Sequence, residues 1–121
     1  MTSKNKVKND DYFWVDFACT WTMTGSRERL KNIKWYKNRY ATVAGGSGKP
    51  KVLIGNGTLP ATVRNSRGEI SEFDIPNVRV VENFGVFLIK PQELYKAFGF
   101  EVDMHSMKLL DENARVIADI R

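Results

Sequence analysis

Tyr12-Phe13-Trp14-Val15-Asp16-Phe17-Ala18 is the stretch on which the reading of this chain turns. Six apolar or aromatic side chains surround a single acid. A short apolar run of this kind predicts a buried strand. An acid inside it is informative, because a carboxylate taken out of water without partners is strongly destabilising. Asp16 is therefore expected either to sit in a cage of structural hydrogen bonds or to do chemistry.

Outward from that strand, residues 1–11 read as a polar, basic, flexible lead, and residues 12–121 as a single domain. Downstream, Ser26 is placed to cap a short helix. Arg27, Arg29, Lys31, Lys34, Lys37 and Arg39 then alternate with Ile33, Trp35, Tyr36 and Tyr40. Two short β-prone runs flank Ala44-Gly45-Gly46-Ser47-Gly48 and predict a hairpin with a glycine tip. A phosphate loop is excluded there, because Lys49 is followed by Pro50 and a strand-like run rather than by a helix. Gly55-Asn56-Gly57 marks a second turn or bulge, and Asn65-Ser66-Arg67-Gly68 a turn between strands at 59–63 and 69–75. Further strands are expected at 77–81, 85–89, 100–104, 108–110 and 115–120. The one convincing helix spans 91–99, with Pro91 in its first turn, Leu94 and Phe98 four apart, and Gly99 at its stop. Many short strands with one late helix predict an all-β chain forming a closed or partly closed β-barrel.

Composition narrows the functional classes. One cysteine, Cys19, excludes a disulfide framework and a four-cysteine zinc site, and fits a reducing compartment. No ligand cluster suggests a metal, and nothing suggests a cofactor. No apolar run approaches the roughly 18 residues of a membrane span, and residues 1–11 lack the apolar core of a secretory signal. A cytoplasmic or nuclear address is expected. The net charge of +5 favours acidic partners. Arg27, Arg29, Lys31, Lys34 and Trp35 are the candidate nucleic-acid contacts, since cations interleaved with aromatics suit such surfaces. The competing reading is an edge strand whose lysines deter aggregation.

The order of these elements resembles the copia-type retrotransposon protease domain, a retropepsin-like aspartic protease. Phe13-Trp14-Val15-Asp16-Phe17-Ala18-Cys19-Thr20-Trp21-Thr22-Met23-Thr24 is similar to the family's opening motif, agreeing at the acid, at Thr20 and at Met23-Thr24. Val43-Ala44-Gly45-Gly46-Ser47 with Ile54-Gly55-Asn56-Gly57 is similar to the family's glycine hairpin. A third similarity runs from Asn77-Val78-Arg79-Val80-Val81 through Phe87-Leu88-Ile89-Lys90-Pro91-Gln92-Glu93-Leu94 to Gly99-Phe100-Glu101-Val102, and a fourth covers 110–117.

The resemblance implies a retropepsin-like β-barrel that forms a homodimer, with one Asp16 from each protomer meeting in a proton-sharing dyad. It also implies a flap at Gly45, Gly46, Ser47 and Gly48 closing over an extended peptide or protein ligand. The departures fall beside the acid: Phe17 replaces the family's hydroxyl residue, Ala18 its glycine, Cys19 its alanine, Thr22 its histidine and, at the third similarity, Lys90 a serine. The function expected on this basis is a transposon-derived, catalytically impaired module for binding and dimerisation. Two alternatives stand beside it: an active aspartic endopeptidase using the Asp16 pair, and a basic nucleic-acid-binding β-barrel.

Overall fold

The computed structural model describes residues 5–7, 11–37, 40–41, 51–85 and 87–120. In chain order its strands are β1 (Asn5–Val7), β2 (Asp11–Val15), β3 (Met23–Thr24), β4 (Lys31–Trp35), β5 (Tyr40–Ala41), β6 (Lys51–Arg64), β7 (Ile70–Val81), β8 (Phe87–Ile89), β9 (Glu101–Asp103), β10 (Lys108–Leu110) and β11 (Val116–Asp119). A single 3-10 turn spans Arg27–Arg29, and one helix, α1, spans Pro91–Phe98.

The spine is the antiparallel ribbon of β6 and β7, which starts from alternation in the sequence. Leu53, Leu59, Ala61 and Val63 face inward and are buried, while Pro60, Thr62 and Arg64 point to solvent. The ribbon is one long pairing, from Leu53 opposite Val81 to Arg64 opposite Ile70. Gly55-Asn56-Gly57 makes no chain reversal. The strand runs through it, and register shifts on either side absorb the irregularity. Asn77, at φ 54°, lies opposite the second shift, where three steps along β7 match two along β6. At the ribbon's far end Asn65 closes the turn: its Oδ1 accepts the amides of Arg67 and Glu69, both at 3.0 Å. Its Nδ2 donates to Glu69 Oε1 and to the carbonyl of Val116, which ties the turn to β11.

The main sheet has eight strands in the order β1-β2-β8-β3-β7-β6-β4, with β5 also paired to β6. It is mixed: β2–β8 and β3–β7 are parallel, and the other pairs are antiparallel. A separate three-stranded sheet runs β11-β10-β9. Its apolar side and α1 share one core with the ribbon, built from Leu59, Ile75, Val78, Val80, Phe87, Ile89, Leu94, Leu109 and Ile117. Helix α1 forms where its sequence places it. Pro91 opens it, Leu94 is buried, and Gly99 ends it in the left-handed region at φ 77°, its amide donating to the carbonyl of Tyr95. Phe98 continues the contact outward by packing on Phe73 and Phe100, with ring centroids 5.0–5.5 Å apart.

This architecture corrects two expectations. The all-β, retropepsin-like β-barrel does not form; the domain is mixed α/β with an open sheet. Closure would require the two ends of the strand path to pair, and among the described residues β1 and β4 are not hydrogen-bonded to each other. The reason lies at the β4 edge. One extra residue separates Lys31 from Lys34 where their partners Thr58 and Asn56 are two apart, and Asn32 sits at φ 56°. Such a bulge kinks the strand and interrupts the ladder a further strand would extend. The resemblance to the copia-type protease domain is overturned with the barrel. It rested on short strand-and-turn patterns that an open sheet carries equally well.

Candidate functional site

Asp16 is the first residue beyond β2. Its amide donates to the carbonyl of Ile89 at 3.0 Å, the last link of β2 to β8, and the chain then turns. Its Oδ1 accepts the amide of Ala18 at 2.8 Å. This is the aspartate turn that local chain chemistry favours, and it sits in an exposed setting rather than inside an apolar strand. The carboxylate thus serves its own loop. The expected Asp16 dyad, and with it both the active endopeptidase and the impaired dimerising module, is corrected: the open sheet has no barrel end where two copies of the acid would converge. Phe17, Ala18 and Thr20 are all exposed in this loop.

The loop is held from below by a cluster that the sequence did not announce. Glu93, in the first turn of α1, accepts the amide of Thr22 on Oε1 at 2.6 Å and pairs through Oε2 with Arg79 of β7 at 3.3 Å. Thr22 is buried and its hydroxyl accepts the amide of Lys90 at 3.0 Å. The Arg79 guanidinium also lies 5.5 Å over the Trp21 ring. Lys90 Nζ reaches the carbonyl of Thr20, and Gln92 the carbonyl of Phe17. One carboxylate therefore fastens three elements separated by up to 71 residues in sequence. Cys19 is buried beneath the loop, its Sγ donating to the Asp16 carbonyl at 3.1 Å. Burial pushes its thiol up to about 11, and the Asp16 carboxylate pushes the same way. A thiol so held is no nucleophile near neutral pH.

The glycine hairpin at Gly45, Gly46, Ser47 and Gly48 lies outside the described residues. Among the described residues no three His, Cys, Asp or Glu side chains come together in a way that could hold a metal ion, and no helix is long and apolar enough to cross a membrane. His105 is exposed in the turn after β9, where Asp103 accepts its amide.

Arg27, Arg29, Lys31, Lys34 and Trp35 are brought to one place, at the strand β4, which among the described residues pairs only with β6 and so ends the main sheet. Arg27 and Arg29 form the 3-10 turn that leads into β4, and Lys31, Asn32, Lys34 and Trp35 are exposed along β4 itself. Trp35 faces Gly55 and is 54% exposed. Gly55 allows the strand to come this close: a Cβ there would lie 2.7 Å from the Lys34 carbonyl oxygen and 3.2 Å from Trp35 Cε3. Ile33 and Leu30 cover Gly57 in the same manner, so the inner side of β4 is sealed and Trp35 marks its rim. The Arg27 guanidinium stands 5.6 Å from the Trp35 ring centroid. The bulge sets Lys31 and Lys34 on the opposite side of the strand, opposite Thr58 and Asn56. Beyond them Tyr36 accepts a hydrogen bond from Asn56 Nδ2. Lys31 also pairs with Asp74 at 2.8 Å, but both side chains are about half exposed, so that pair holds the lysine only weakly.

Searches of family models, curated proteins and solved structures return no match to this chain. Function must be argued from the site.

Proposed function

We propose that this domain is a nucleic-acid-binding module that uses the β4 edge of the main sheet, with Arg27, Arg29, Lys31, Lys34 and Trp35 as its contact residues. The observation that carries the reading is the convergence of these cations and a bare tryptophan on a single edge, with Arg27 standing over the Trp35 ring. Between residues 27 and 37 there are five cations (Arg27, Arg29, Lys31, Lys34, Lys37) against one acid, Glu28. Edge protection accounts for lysines and for a bulge. It does not account for an exposed indole beside them, which protection against aggregation would disfavour.

The bulge also argues against an extended polypeptide as the occupant. A peptide that adds to a sheet relies on a regular row of backbone donors and acceptors, and that row is broken at Asn32. What the edge offers is side chains: point charges for phosphates and a ring for bases. Binding of a labelled oligonucleotide, followed by anisotropy across a salt titration, tests this. Affinity is expected to fall linearly on a log–log plot. Lys31→Ala and Lys34→Ala should each flatten the slope by about 0.7, the release expected per phosphate contact on a single strand. No binding at low salt, or competition by polyglutamate as effective as by unlabelled oligonucleotide, would overturn the reading.

A further inference from the structure

We infer that the nucleic acid taken by this edge is single-stranded, with one base stacked on the platform formed by Trp35 and Arg27. The inference rests on the binding role proposed above and adds the strandedness of the ligand and the residue that selects it. Three observations carry it. The indole is more than half exposed although its Cε3 edge lies against Gly55, so backbone contact fixes the ring while leaving it open to a ligand. Arg27 stands over the ring at 5.6 Å, and a guanidinium plane extends the surface on which a base can lie. The lysines of β4 lie across the strand from Trp35, an arrangement that lets a flexible backbone follow the cations while a base turns to the ring.

A duplex does not fit this division of labour. Its bases are stacked on one another inside the helix, so Trp35 would meet only sugar and phosphate, and the edge would act on a duplex through charge alone. A single strand presents base faces directly. Every base has such a face, so little sequence preference is expected.

The test compares a labelled oligothymidylate with a mixed-sequence duplex of the same length, on the wild-type domain and on Trp35→Ala and Trp35→Phe. The wild type is expected to bind the single strand more tightly. Trp35→Ala should weaken single-strand binding by roughly 5- to 150-fold, the range expected for losing one base–aromatic stack, and leave duplex binding and the salt slope nearly unchanged. Trp35→Phe, which keeps an aromatic face, should recover most of the loss; thermal melts of both variants check that the fold is intact. Equal affinity for both ligands, or a Trp35→Ala variant that binds the single strand like the wild type, overturns the inference and leaves a charge-only nucleic-acid site standing. Absence of binding to either ligand removes the proposed function itself.

Discussion

Glu93 ties distant parts of this molecule together, since it satisfies the amide of buried Thr22 and pairs with Arg79. Glu93→Ala leaves that amide without its acceptor and is expected to cost about 1–3 kcal/mol in chemical denaturation. Glu93→Gln keeps an acceptor and should cost distinctly less; equal losses in the two variants would show that the hydrogen bond is unimportant. Cys19 supplies a second test at this scale. With its thiol held at about 11 against an ordinary value of 9.0, the folded state binds the proton more tightly than the unfolded chain. Its contribution to stability is therefore complete below pH 9 and declines as the pH rises from there through about 11. Alkylation at pH 8 is expected to be slow until denaturant is added; rapid labelling of the native domain would contradict the buried, protonated thiol. The role of Glu93 was not legible in the sequence. Asp16 interrupts an apolar run in the sequence, yet the strand ends at Val15 and the acid closes a turn. In the sequence Glu93 is only one residue of a helix, because a partner 71 residues away leaves no local signal.

At the scale of elements, local chemistry is a better guide. Helix α1 follows from Pro91, Leu94 and Gly99, all of which act within a few residues. The turn after β6 follows from Asn65, whose side chain folds back on the amides of Arg67 and Glu69. Asn65→Ala removes those acceptors and the link to Val116, and is expected to destabilise the domain by about 2–3 kcal/mol. Hydrogen exchange should speed up first at the ribbon tip and in β11; exchange unchanged there would show that the turn is held by other contacts. Gly55-Asn56-Gly57 shows where composition is ambiguous. Two glycines around an asparagine suit a turn or a bulge, and here they are spaces over which β4 lies. The same bulged β4 leaves a tryptophan on display where lysines alone would guard the edge.

For the whole molecule, strand content was readable and closure was not. Whether a sheet closes depends on its first and last strands finding each other, which no window of sequence reports. The strand path here runs from β1 to a kinked β4 and stays open. That difference removes the meeting point for two Asp16 residues and leaves an edge where most of the surplus positive charge between residues 27 and 37 is displayed. The candidate contacts Arg27, Arg29, Lys31, Lys34 and Trp35 were visible in the sequence as a basic, aromatic stretch. Their arrangement was not, because the bulge at Asn32 decides which side of the strand each residue occupies. The most direct measurement is a residue-by-residue map of amide chemical-shift changes during titration with a single-stranded oligonucleotide. Changes are expected to concentrate between residues 27 and 37 and at the indole N–H of Trp35. Shifts centred instead on the Asp16 to Trp21 loop, or none at low salt, would contradict the assignment of function to the β4 edge.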